Sequence, residues 1–389
     1  MFTSEASAIP RPTLWTPRLV GLLLAGHMFF FSFYSLLVAL PKFLDSHSDT
    51  VIGIVVGAFG LGSFAARLWA GVFTDAFGRR LMVIVGATGC SFALFAYAQG
   101  DFPPGLAGVR LLHGVAWVVF LTSWTTLCLD LAPEGRRAEV MAATLTATHS
   151  AALYAPALAL WLGPQIGYQA LFVILGCACL AGGALTLIAP VESTERKPWR
   201  FPRRIPFSKP AITPLLGFLG TTIAFGSVQG FLVLRAEGHA SPEFFLLSFG
   251  ITVITVSIIA SRLISRLDLW VTAGVGLLFV AASMVIVAIS AEPLALVVAG
   301  GLFAAGFGAS YTGMTTIAAE SAPAAERGLA VATVTMAFDF GTAAPFVLGV
   351  LSDAAGVASV FVFAAGVALA SLVWVATKSR AEVSETVAA

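Results

Sequence analysis

Apolar residues run along this chain in blocks of about 20, separated by short breaks rich in charge, proline or glycine. A block of that length is what an α-helix needs to cross a bilayer, where a backbone can satisfy its polar groups only internally. The pattern predicts twelve spanning helices. The first six cover about residues 18–40, 51–73, 81–100, 104–128, 138–162 and 169–190; the second six cover 211–235, 243–264, 270–290, 294–318, 328–350 and 357–377. The proline-containing start, residues 1–16, leads into a run long enough to span and reads as retained, not as a cleavable signal peptide. The predicted fold is all-α and integral to the membrane: a bundle over 1–190, a linker over 191–210, and a second bundle with a short tail over 211–389.

Composition narrows the class. Hydrophobic residues make up 58% of the chain and charged residues 11%, where a soluble domain needs about a quarter charged to cover its surface. The net charge of +1 excludes a chain built for nucleic acid. Four cysteines (Cys90, Cys128, Cys177, Cys179) lie inside apolar runs and read as small hydrophobes. The five histidines are spread over separate segments, and no phosphate loop ending in Gly-Lys-Ser/Thr appears. An enzyme and an ATP-driven pump are both disfavoured, and no cofactor is expected beyond a proton gradient.

The basic residues give orientation. Of 21 Lys and Arg, Lys42 and Arg235 fall in loops on one side, Arg110 falls within a span, and the other eighteen lie on the opposite side. Basic residues gather on the cytoplasmic face, so both termini are expected there. The linker 191–210 carries six of them and reads as a cytoplasmic tether.

The chain also repeats itself at half its length. Asp130-Leu-Ala-Pro133 followed by Arg137 is matched by Glu320-Ser-Ala-Pro323 followed by Arg327, and His149 aligns with Asp339. Two like bundles enclosing a central site, each rocking on the other, fit that symmetry.

Charged groups in spans point to the site. Arg110 is the one Lys or Arg read deep within a span; unpaired, it costs at least about 2.5–3.5 kcal/mol. His113, Trp117 and Trp124 share its helical face, which is expected to line a cavity. Asp339 is the one carboxylate near mid-span, and with His149 or Arg110 it is the candidate for proton coupling. His27, Phe31 and Tyr34, then Thr222, Phe225 and Gln229, then Phe303, Phe307 and Tyr311 fall at helical spacing on three further cavity helices. Aromatic groups with a few polar handles suit a small amphiphilic solute.

GVFTDAFGRR at 71–80, VRLLHGVAW at 109–117 and FDFGTAAPFVLGVLSD at 338–353 carry a resemblance. The first resembles the signature loop of the major facilitator superfamily, the second its Arg-containing motif (with His113 where Gln is usual), and the third its drug- and metabolite-efflux branch. The resemblance covers about residues 18–377. It implies a transporter in the plasma (inner) membrane of a bacterium, acting as a monomer on a small-molecule substrate within the lipid bilayer. It also implies a latch in which Asp75 and Arg79, with Arg80 and the packing glycines Gly71 and Gly78, hold the outward-facing state. At the half-length offset Ser265 and Asp268 stand where Asp75 and Gly78 do, so this latch is expected to be one-sided. In the fifth span, Ala155-Pro156 replaces the Gly-Pro common in exporters. The expected activity is proton-coupled efflux by alternating access, the alternative being a proton symporter or facilitator for uptake of a sugar or organic acid.

Overall fold

The computed structural model describes residues 13–188, 207–239, 241–263 and 268–388. Most of the expected linker 191–210, and Ser265, lie outside them. Fifteen α-helices occur among the described residues. Those of the first half are α1 (Pro17–Phe43), α2 (Asp49–Phe77), α3 (Arg79–Tyr97), α4 (Pro103–Asp130), α5 (Arg137–Ala152), α6 (Ala155–Ile166) and α7 (Tyr168–Leu185). Those of the second are α8 (Ile212–Ala236), α9 (Glu243–Leu263), α10 (Leu269–Ile289), α11 (Pro293–Glu320), α12 (Arg327–Thr335), α13 (Ala337–Ala343), α14 (Pro345–Ala355) and α15 (Val357–Ala388).

Ten segments are long and apolar enough to cross a membrane. The other two expected spans are α9, whose apolar stretch is shorter, and the α5–α6 pair. The α5–α6 break follows from Pro156, which has no N–H to offer the carbonyl of Ala152. The eleventh expected span is likewise in pieces, with Pro345 opening α14. Local chemistry sets several starts. Thr16 Oγ1 accepts from the Leu19 N–H at 3.2 Å with Pro17 in the first turn. Asp268 caps α10 by accepting from the Val271 N–H at 2.9 Å, so the residue standing in for Gly78 has a capping job of its own.

The halves pack in the same order. In the first, α4 lies against α2 and α3, α7 against α3 and α1, and α1 against α5 and α6. In the second, α11 lies against α9 and α10, α15 against α10 and α8, and α8 against α13. Asp130 ends α4 and Glu320 ends α11, as the repeated segments require.

Between the halves, α2 runs antiparallel to α13–α14 in backbone contact. A Cβ on Gly53 would stand 2.2 Å from the Pro345 carbonyl oxygen, one on Gly57 2.5 Å from the Phe346 nitrogen, and one on Gly60 2.2 Å from the Ala343 nitrogen. These three lie on one stripe of α2. The molecule thus has two ends, one carrying the α1–α2 connection and one carrying the α2–α3 turn.

Candidate functional site

The centre of the contact between halves is polar. Asp339 on α13 is 1% exposed. Ser63 Oγ donates to its carboxylate at 2.5 Å, Arg67 Nη2 donates at 2.9 Å, and Arg67 Nε donates to the second oxygen. Ser63 and Arg67 are one turn apart on α2, in line with Gly60. A carboxylate away from water must be paired and hydrogen-bonded, and here the first half provides the partners for an acid of the second. The two-pronged guanidinium also fixes how α2 and α13 sit.

This departs from the sequence reading. Arg67 is one of the eighteen basic residues that the charge pattern places on the cytoplasmic side, but α2 continues to Phe77, so Arg67 meets the second half from within a helix. His149, the proposed partner of Asp339, bonds within its own helix, to the Leu145 carbonyl at 2.8 Å and to the Thr148 hydroxyl. Arg110 is buried over the Phe59 ring, 4.5 Å from its centroid, and its Nε and Nη1 have no hydrogen-bond partner among the described residues.

The rest of the Arg110 face packs into the first half and not onto a cavity between halves. His113 Nδ1 meets the Tyr97 hydroxyl at 3.1 Å. Trp117 stacks on Phe33 with centroids 4.2 Å apart, and Trp124 Nε1 donates to the Leu22 carbonyl at 2.7 Å. Helical spacing put these residues on one face correctly, but the face turns toward α1, α2 and α3 because its aromatic rings fill the bundle interior.

A cavity does lie between the halves, bordered by α1, α5–α6, α8, α9 and α11. Tyr34, Leu37, Pro156, Phe225, Phe249 and Phe303 are among its lining residues, and among the described residues Tyr34 is the one that brings a polar side-chain group to that lining. Leu37 and Phe249 were missed, since nothing in hydropathy separates a cavity-facing apolar residue from a lipid-facing one. Gln229, one turn from Phe225 on α8, is 2% exposed, and both atoms of its amide lack a partner among the described residues. Thr222 is buried and donates to the Leu219 carbonyl. Phe307 and Tyr311 stack on each other and join Phe218 and Phe338 in an aromatic cluster, which Phe307 links to the cavity-lining Phe225, Phe249 and Phe303.

His27 ties α1 to the α5–α6 break. Its Nδ1–H donates to the Ala147 carbonyl at 2.9 Å, which leaves Nε2 to accept from the Tyr154 hydroxyl at 2.7 Å. Phe31 stacks on the same tyrosine.

At the α2–α3 end, Gly78 takes φ +98° and starts α3, a conformation that favours glycine. Gly71, expected at a tight contact, has nothing among the described residues within 4 Å of a Cβ position. Arg79 pairs with Asp130 at 2.6 Å, and Arg80 donates to the Leu187 carbonyl at 2.9 Å, both inside the first half. Asp75 is exposed.

At the α1–α2 end the contacts cross between halves. Lys42 Nζ meets Glu237 at 2.7 Å, and the N–H groups of Asp49 and Thr50 both donate to Asp353 at 3.0 Å.

Comparison with known proteins agrees with this architecture. A 140-residue stretch, 36% of this chain, is 29% identical to a gallate transporter of Pseudomonas putida. A 144-residue stretch is 27% identical to a Na(+), Li(+), K(+)/H(+) antiporter of Planococcus maritimus. The matched stretches span 30% and 33% of those relatives' lengths. Among solved structures, a peptide transporter POT superposes with TM-score 0.79 at 14% identity, covering 93% of this chain and 94% of the other. The nucleoside transporter NupG does so at 0.74 and 13%, covering 92% and 98%. Multi-pass helices, the central contact between halves and a match over residues 22–341 and again over 238–388 identify the chain as a member of the Major Facilitator Superfamily, a membrane transporter.

Proposed function

We propose that this transporter exchanges protons for a small, largely aromatic organic solute and exports that solute by alternating access. The observation that carries the reading is the Asp339–Arg67–Ser63 cluster, where an acid of one half is held by a cation of the other at the point where the halves meet. A charged Asp339 ties α13 to α2. A protonated one no longer attracts Arg67, so the charge on a single carboxyl biases whether the α1–α2 end stays shut. His149 and Arg110 remain secondary candidates for moving the proton.

The apolar, aromatic lining of the cavity, with Tyr34 as its one source of a polar side-chain group among the described residues, suits an amphiphile that carries one hydrogen-bonding group and no net charge. The protein works as a monomer in the plasma (inner) membrane of a bacterium. Both termini are cytoplasmic, the α1–α2 end faces outward, and the proton gradient supplies the drive in place of a cofactor.

Flux into proteoliposomes under an imposed pH gradient tests this. Wild-type flux should follow the gradient, and Asp339→Asn should uncouple it. Flux that ignores the gradient in both proteins ends the proton-coupling reading. The stretch shared with a gallate transporter favours a second reading, proton symport of a small organic acid. An acidic exterior would then drive solute accumulation where the exchanger drives expulsion.

A further inference from the structure

The signature segment has a second copy in this chain. Residues 71–78 read Gly-Val-Phe-Thr-Asp-Ala-Phe-Gly, and residues 349–356 read Gly-Val-Leu-Ser-Asp-Ala-Ala-Gly. Each closes one of the two helices that meet between the halves, α2 and α14. Each ends on a glycine of positive φ, +98° at Gly78 and +82° at Gly356, from which the next helix starts. Because α2 and α13–α14 are antiparallel, the copies sit at opposite ends of the molecule. The half-length offset hid this one, since it aligns the first copy with Ser265 and Asp268.

In the second copy, every polar residue is engaged with the other half. The first N–H groups of an α-helix have no partner inside it and carry the positive end of its dipole. At the start of α2, Ser48 Oγ accepts from the Val51 N–H at 3.4 Å, but the N–H groups of Asp49 and Thr50 both donate to the Asp353 carboxylate, at 3.0 Å each. Ser352 Oγ donates to the Asp49 carboxylate at 2.5 Å. Gly349, one turn before Asp353, permits the approach, because a Cβ there would stand 2.4 Å from the Asp49 carbonyl oxygen. The start of α2 is therefore capped partly by its own chain and partly by the end of α14.

We infer that Asp353, with Gly349 and Ser352, is a second latch: it holds the α1–α2 end shut by capping α2 across the halves, and it releases whenever that end opens. Its spacing, glycine then aspartate four residues on, is that of Gly71 and Asp75, so one short element used twice serves the two ends. The inference rests on the reading that the halves rock. It adds a positioning residue that neither the mid-span ion pair nor the substrate cavity requires.

Spin labels test it without a substrate. Ser46→Cys and Ala355→Cys, both exposed, report the α1–α2 end; Glu134→Cys and Ala324→Cys report the other. Cys177, the exposed native thiol, is replaced by serine. Distance distributions are recorded in nanodiscs at neutral and acid pH. In the Asp353→Ala protein the open-to-closed ratio at the α1–α2 end should rise about three- to tenfold, the size expected of a lost charged cap, and the pair at the other end should shift the opposite way. Asp353→Asn, nearly the same size and keeping one acceptor, should fall between and covers the case that the alanine variant does not fold. A distribution unchanged in both variants, even with lowered thermal stability, overturns the latch. A wild type in which neither label pair changes under any condition tells against rocking itself, and so separates the two failures.

Discussion

The two ends of this transporter are built differently. At the α1–α2 end the halves meet backbone to backbone through Gly53, Gly57, Gly60 and Gly349, with Asp353, Lys42 and Glu237 adding polar contacts across the seam. At the α2–α3 end the ion pair Arg79–Asp130 and the bond from Arg80 to Leu187 stay within the first half. An end that closes by backbone contact needs glycine wherever the helices touch. An end whose described ion pair lies inside one half is stiffened within that half. Under the proposed alternating-access cycle, the difference locates what would change when the molecule reverses: the glycine contact and the Asp339–Arg67 pair would separate, and the internal pairs would move as part of a rigid half.

The sharpest way to break the comparison is to fill the glycine stripe. Gly60→Leu places a side chain where a single Cβ already meets the Ala343 nitrogen at 2.2 Å and the Asp339 carbonyl oxygen at 2.5 Å. Closure should fail, with transport falling by at least about a hundredfold and spin labels at positions 46 and 355 staying far apart in all conditions. Transport near wild type would mean that the contact between halves is not needed.

Next in size is the buried pair. Asp339→Ala leaves the Arg67 guanidinium without its acid and should cost about 3 kcal/mol on unfolding. Adding Arg67→Ala should recover more than half of that loss, which a double-mutant cycle in thermal unfolding measures. Additive losses would show that the two residues act independently.

At the opposite end, Arg79→Ala removes the pair with Asp130, which is partly exposed, and should cost about 1 kcal/mol while leaving the α1–α2 end closed. Label distances that change at the α1–α2 end in this variant would dissolve the distinction between the ends. The smallest effect belongs to Lys42→Ala. Its bridge to Glu237 is solvated, with side chains 25% and 55% exposed, so the loss should be at most about 0.5 kcal/mol and should vanish in high salt. A loss above about 1 kcal/mol would transfer the closing role from backbone contact to charge.

Much of the fold was legible. Most helix ends fell within a few residues of the apolar blocks: α3 starts at Arg79 and α11 at Pro293, where the pattern placed 81 and 294, although α15 runs on to Ala388, well past 377. The break in the fifth span could be read from Pro156, and the kinship of the halves from Asp130 and Glu320. The candidate site was legible only in part. Asp339 stood out because a carboxylate amid apolar residues is conspicuous, and Tyr34 and Phe225 do reach the cavity. Arg67 counts among the eighteen cytoplasmic-side basic residues, although a mid-span acid calls for a buried base and Arg67 falls inside the second expected span. The Arg110 face was drawn correctly as a face and assigned to the wrong space.

The sequence by itself determined the solvent, the helices and the duplication, because each depends on a local property: how apolar a stretch is, where proline or a capping side chain interrupts it, and which short patterns recur. Only the tertiary structure decided that Asp339 belongs to Arg67, that Asp353 caps a helix more than three hundred positions away, and that the Arg110 face looks inward. Those outcomes depend on how each helix is rotated and how closely two backbones approach. In a bilayer, where lipid is as apolar as the helices it surrounds, hydrophobicity does not select that rotation; small residues and matched polar groups do, and only when two distant segments are brought together.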